Sequence, residues 1–324
     1  EHPNHVSTLS RGRAEGPAGR CALLVAWDAL CARGAGRVSE MKQEIVVAYD
    51  GTWQSRAAIE WAAAECRVRH RAGMTVCQVW DGPDPERVEA VAAEERRLAG
   101  LRLSEGVRLA ERLLPGREIR PVLVRGDPKD VLVGLSRNAA MLVLGHRSVR
   151  GLAGLLRGSV SAYAAAHAAC PVVVVGAPAS GPPSGGVMVG IDAARPAGPE
   201  ADSALRFAVE VARGRSLPLT AVYATRGREP EGERALARIV EPWRARCRGR
   251  PRIQTRVVDA PPLPALAACA REAWLLVLGA HGTGSHGARA RPLGSVGQGL
   301  LRRASCPVAV VHPVWPIPCD IPMI

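Results

Sequence analysis

Gly145-His146-Arg147-Ser148, then nine residues, then Gly158-Ser159-Val160: this pattern returns as Gly279-Ala280-His281-Gly282, eleven residues, and Gly294-Ser295-Val296. Each copy follows a short apolar run, Met141–Leu144 or Leu275–Leu278, and leads into a helix-like stretch ending in Cys-Pro-Val. A glycine-rich turn between a buried strand and a helix N-terminus lets backbone N–H groups converge on phosphate oxygens. The pattern therefore reads as two nucleotide-binding modules in tandem.

The repeat extends beyond these turns. Asp192 follows Asp50 by 142 residues, and Cys306 follows Cys170 by 136, close to the 134 and 136 that separate the glycines. Duplication followed by changes in loop length gives such near-constant offsets. In the first half, β-branched runs at Ile45–Tyr49, Thr75–Trp80, Ile119–Val124, Met141–Leu144 and Val172–Val175 read as strands. Amphipathic stretches at Ser55–Arg71, Pro85–Leu114, Pro128–Asn138 and Ser159–His167 read as the helices between them. Asp127 has the place of an N-cap, with Pro128 at the first helical position. The second half repeats the order with strands at Val187–Ile191, Leu219–Tyr223, Ile253–Val258, Leu275–Leu278 and Val308–Val311.

Alternating strands and helices imply an α/β fold: two tandem domains, each a five-stranded, mostly parallel sheet with helices on both faces. In such sheets ligands bind beyond the carboxyl ends of the strands, where the strand order reverses. Asp50 and Gly145 both end strands and are expected to meet there. The domains are placed at 43–176 and 187–312, joined by a Pro/Gly/Ser-rich linker at 177–186. The final strands, Val172–Val175 and Val308–Val311, are the edges expected to join the domains into an internal pseudo-dimer.

Composition narrows the classes of function. The chain has 324 residues, 47% of them hydrophobic, with Phe207 its single phenylalanine. That suits two packed domains. No apolar run reaches the roughly 18 residues a membrane span needs. The net charge of +13 comes almost wholly from arginine, since only Lys42 and Lys129 are lysines. These arginines are spread along the chain without an aromatic-basic platform, so nucleic acid is not the expected partner. The field would still favour any anionic ligand. Nine cysteines form no CxxC pair and no zinc spacing, which suits reduced thiols in the cytoplasm.

Residues 1–42 are expected to be a disordered extension, or translated upstream sequence with Met41 as the natural start. Cys21–Trp27 imitates a signal peptide until Asp28 interrupts it. Residues 313–324 form a proline-rich, irregular tail.

Taken together, the motifs resemble the universal stress protein family in its tandem form. The residues carrying the resemblance are Ile45-Val-Val-Ala-Tyr-Asp-Gly-Thr52, Gly126-Asp-Pro-Lys129, Gly145–Ser159 and Cys170-Pro-Val-Val-Val174. Their second-half partners are Val187–Asp192, Gly279–Gly282, Gly294–Val296 and Cys306-Pro-Val308. The resemblance covers residues 43–312. It implies a Rossmann-like fold of the adenine-nucleotide α-hydrolase type that binds ATP or a related adenine nucleotide, with or without Mg²⁺. Asp50 would face the ribose and phosphates and Val79 the adenine. Gly145, Arg147, Ser148, Gly158, Ser159 and Val160 would hold the phosphates. The matching second-half set is Asp192, Ala224, Gly279, His281, Gly282, Gly294, Ser295 and Val296.

Two departures distinguish the copies. Ser148 stands where the motif has its second glycine, and a serine gives up positive φ and close phosphate approach. In the second half the loop is two residues longer, Ala224 is smaller than Val79, and the turn after Asp192 is extended. The first half is therefore expected to hold the more ordinary site.

Other chemistry is weaker. His281 and His286 share a loop without a carboxylate or cysteine at ligand spacing, so no metal is expected. No Ser-His-Asp order, GxSxG elbow or P-loop lysine occurs. Catalytic residues are therefore not assigned, and turnover is expected to be absent or slow. The reading is a cytoplasmic nucleotide-binding regulatory protein. The alternatives are an interaction scaffold of the same fold or a slow ATP hydrolase. A homodimer of the whole chain stays open, and no particular protein partner is implied.

Overall fold

A computed structural model describes residues 44–70, 72–80, 89–146, 160–176, 185–194, 198–227, 229–280 and 293–313. The first half runs β1 (Ile45–Ala48), α1 (Trp53–Val68), β2 (Met74–Trp80), α2 (Glu89–Leu113), β3 (Ile119–Arg125), α3 (Pro128–Ser136), β4 (Met141–Gly145), α4 (Val160–His167) and β5 (Val172–Val175). The second runs β6 (Val187–Gly190), α5 (Pro199–Gly214), β7 (Leu219–Thr225), α6 (Glu229–Cys247), β8 (Ile253–Asp259), α7 (Pro262–Cys269), β9 (Leu275–Gly279), α8 (Ser295–Arg303) and β10 (Val308–Val311). The expected strands are all present, and the fold is α/β with a mostly parallel sheet.

Local chemistry explains the boundaries. Asp127 caps α3 as its sequence position suggests, accepting from the Lys129 N–H at 2.8 Å, with Pro128 behind it. Helix α1 starts two residues earlier than the apolar pattern implies, because Thr52 rather than a later residue is its N-cap. The charges along α2 are solvated, as Arg97 and Glu94 show by pairing at 2.7 Å on an exposed face.

The ten strands form one sheet in the order β3-β2-β1-β4-β5-β10-β9-β6-β7-β8. Within each half every pairing is parallel. The halves join where β5 meets β10 antiparallel, with Val174 opposite Val308 and Val172 opposite Val310. These are the two edges expected to pair. Because that one junction is antiparallel, the carboxyl ends of β1–β5 and of β6–β10 lie at opposite margins of the sheet.

Alternation along the strands buries both faces. Ile45, Val47, Met74, Val76, Met141 and Val143 point to the side covered by α1 and α2. The same cluster continues through Val173 and Ala309 to the residues under α5 and α6, so one apolar layer spans both halves. The thiols of Cys66, Cys77, Cys170 and Cys306 are buried, and burial pushes each up to about 12. They are small core residues with inert thiols.

A polar cluster ties α1 to the second half. Glu65 is 1% exposed. Its carboxylate accepts from Arg69 Nε at 2.7 Å and from Arg215 Nη2 at 2.8 Å. The Arg215 guanidinium also lies 4.2 Å over the Trp274 ring, and Trp274 stacks on Trp61 with centroids 5.9 Å apart. Two arginines satisfy a carboxylate that would otherwise be costly to bury. Burial raises Glu210, which lies beside this cluster, above the ordinary carboxylate range.

Candidate functional site

Strand order reverses twice, between β1 and β4 and between β6 and β9. At each reversal a crevice opens beyond the carboxyl ends, because the connections leave towards opposite sides. Asp50 follows β1 and Gly145 ends β4; Asp192 follows β6 and Gly279 ends β9.

The first reversal is tightly built. The Thr52 N–H and hydroxyl both donate to Asp50 Oδ1, at 3.0 and 2.6 Å. The Ser55 N–H donates back to Thr52 Oγ1 at 3.3 Å, which caps α1. The Ser55 hydroxyl donates to the Thr52 carbonyl at 2.9 Å, and the Asp50 N–H donates to Ser55 Oγ at 3.3 Å. Gly51 takes φ +83°, the left-handed conformation that glycine adopts without strain. The stem of Arg102, from α2, lies against it, 3.5 Å from where a Cβ would be.

Gly145 has a different reason to be glycine. A Cβ there would come within 2.6–2.7 Å of the Gln54 carbonyl group and the Ser55 nitrogen. Its missing side chain lets the end of β4 meet the first turn of α1. Asp50 and Gly145, distant in sequence, are thus joined through one helix N-terminus.

The second reversal has the same topology with a different turn. Asp192 is exposed and accepts from the Ala194 N–H at 3.1 Å. Helix α5 begins at Gly198, which has no side-chain cap. On the other side of this crevice the Gly294 N–H donates to the Ala280 carbonyl at 3.4 Å. That bond brings the start of α8 to the end of β9. Gly294 is the N-cap of α8, Ser295 is its exposed first residue and Val296 follows.

The remaining sequence-assigned positions divide simply. Val79 is partly exposed on β2, in register with Val124; Ala224 is its counterpart on β7, in register with Val258. Val160 opens α4. Arg147, Ser148, Gly158, Ser159, His281 and Gly282 lie outside the described residues, as does His286. Asp50 and Asp192 are not brought together; the sheet separates them to opposite margins.

Several residues near the first crevice were not singled out from sequence. His146 follows Gly145 and donates its N–H to the Val175 carbonyl at 2.8 Å. Its Nδ1 is buried without a partner, and burial together with the Arg302 charge lowers its pKa. Further along the same margin, Trp80, Ala92, Ala93, Arg96, Leu123 and Arg125 line a cavity of about 420 Å³. The Arg125 guanidinium lies 5.5 Å over the Trp80 ring. The available signal was register: Trp80 and Arg125 end neighbouring strands side by side.

The fold and its two strand reversals define a tandem α/β protein with a doubly wound half on each side of one antiparallel seam. The universal stress protein family model matches residues 41–176 and again 186–312. Universal stress protein Rv1996 of Mycobacterium tuberculosis (strain ATCC 25618 / H37Rv) is 30% identical over 309 residues, covering 83% of this chain and 94% of its own. Universal stress protein Rv2005c of the same strain is 30% identical over 295 residues, with 83% and 96% covered. A universal stress protein from Archaeoglobus fulgidus DSM 4304 matches in structure with a TM-score of 0.66 at 20% identity, over 84% of this chain and 99% of that one. The chain belongs to the universal stress protein family.

Proposed function

We propose that the chain binds an adenine nucleotide, ATP foremost, in the crevice between β1 and β4, and acts as a regulatory module with little or no turnover. The observation carrying this reading is the junction of Asp50, Gly145 and the first turn of α1 at the strand reversal. A strand end brought against a helix N-terminus suits phosphate oxygens, and a fixed carboxylate suits ribose hydroxyls. Val79, half-buried on the adjoining strand, offers an apolar surface of the kind adenine needs. Mg²⁺, if carried, would arrive with the phosphates. The crevice between β6 and β9 is proposed as a weaker second site, because the helix that follows its aspartate turn starts from Gly198 without a side-chain cap. Among the described residues no helix is long and apolar enough to cross a membrane. We place the protein in the cytoplasm, as a single tandem unit or a homodimer of such units.

Two measurements test the reading together. Ligand released from the purified full chain, identified by mass spectrometry, is expected to be an adenine nucleotide. Calorimetric titration is expected to give heat that Asp50→Ala reduces at least tenfold in affinity, in line with loss of a charged hydrogen-bond partner. No released nucleotide and no heat at millimolar ATP would leave the interaction-scaffold reading in its place. Phosphate release abolished by Asp50→Ala would instead favour the hydrolase.

A further inference from the structure

We infer that the second half supplies a cation to the first-half site: Arg302, at the end of α8, completes the phosphate-binding side of the crevice that begins at Gly145 and His146. This rests on the nucleotide reading above and adds a residue from the other half of the chain.

The antiparallel seam makes the arrangement. Helix α8 leads directly into β10, and β10 lies against β5 in the opposite sense. The end of α8 is therefore carried to the carboxyl end of β5. There the Cβ position of Gly176 is 3.8 Å from the Ala304 carbonyl oxygen. The same end of β5 is bonded to the exit of β4: Gly145 is in register with Val175, and the His146 N–H donates to the Val175 carbonyl. The last turn of α8 and the first residue beyond β4 are thus neighbours across two strands. The Arg302 charge acts on the His146 imidazole, which fits that neighbourhood.

Chemistry at this point favours an anion. Arg302 is exposed and, among the described residues, has no carboxylate partner. His146 keeps a buried Nδ1 without a partner. The carbonyls ending α8 would by themselves repel a phosphate. Arg302 and Arg303 in that last turn reverse the local sign, and a full guanidinium charge outweighs the partial charge of a helix end.

The matching positions in the first half carry no arginine. By the offset of 136 between Cys170 and Cys306, Arg302 and Arg303 correspond to Ala166 and His167. His167 is turned back on its own helix, with Nδ1 2.9 Å from the Tyr163 carbonyl oxygen. His312, leaving β10, bonds the Ala165 carbonyl oxygen at 3.0 Å. Among the described residues, the arginine carried across the seam goes to the first-half crevice.

The test uses the full chain carrying Asp192→Ala, so that the second crevice contributes least, with ATP and adenosine as probes in equilibrium dialysis. Arg302→Gln is expected to weaken ATP about tenfold while adenosine changes less than about twofold, as removal of one charge-assisted contact to phosphate predicts. Arg302→Lys should keep most of the ATP affinity, and unchanged thermal unfolding should show both variants folded. Unchanged ATP affinity in Arg302→Gln, or equal losses for ATP and adenosine, overturns the inference and leaves the nucleotide reading standing. Failure of the parent to bind either probe, or binding that survives Asp50→Ala, overturns both.

Discussion

The two crevices share a topology and differ in how the turn after the first strand is secured. After β1, a network of hydrogen bonds among Asp50, Thr52 and Ser55 fixes the carboxylate and caps α1. After β6, Asp192 accepts from the Ala194 N–H, and α5 starts from Gly198 without a side-chain cap. The same fold can thus keep an aspartate in place and change how the helix beside it is capped. Preorganisation of a binding group lowers the ordering cost of association. The first crevice has that advantage.

The largest difference between the halves sits at the far ends of α1 and α5. Glu65 stands four residues before Arg69, and Val211 stands four before Arg215. One carboxylate therefore serves the equivalent arginines of both halves. Glu65→Ala should cost about 3 kcal/mol, because it leaves two partly buried guanidinium groups without their counter-charge. Val211→Ala should cost about 2 kcal/mol, as an ordinary loss of buried methyl groups. Urea unfolding with unchanged m-values would read both. Equal costs would break the contrast.

A second comparison concerns two glycines at strand ends. In Gly145→Ala the new methyl meets backbone atoms of α1, which cannot move without shifting the helix. A cost of about 2–3 kcal/mol is expected from such overpacking. In Gly190→Ala the nearest atoms are the Leu278 and Leu266 methyl groups, which can rotate away. That change should cost about 1 kcal/mol or less. The same urea experiment ranks them, and the reverse order would show that α1 is not held against β4.

The smallest effects sharpen the capping difference. Thr52→Ala should cost about 1 kcal/mol and lower the melting temperature, since it removes a working N-cap. Gly198→Asp should add a few tenths of a kcal/mol by supplying the cap that α5 lacks. Melting curves of the two variants should move in opposite directions.

Much of this was legible in the sequence, for definite reasons. Strand runs such as Val172–Val175 and Leu275–Leu278 are buried on both faces, so their apolar character alone marks them. Asp127-Pro128 carries its own capping chemistry and reads correctly in isolation. Asp50 and Gly145 were legible as strand ends, whereas the reason for Gly145 was not. It depends on the backbone of Gln54, which is remote in sequence. Arg302 was out of reach in the same way. Its neighbourhood with His146 exists only because β5 and β10 run in opposite senses, and a repeat read one half at a time carries no information on that junction.

The seam between β5 and β10 has a further consequence. The two strands at the seam are only four residues long, and the rest of the contact between the halves comes from the apolar layer and the Glu65–Arg215 pair beside it. A connection of about ten residues (177–186) also tethers the two halves, at an effective concentration in the millimolar range typical of short linkers. Their pairing then becomes insensitive to how much protein the cell makes. It also leaves neither edge free to recruit a stranger, so the cation that Arg302 brings arrives at fixed stoichiometry, one per first-half crevice, at every expression level.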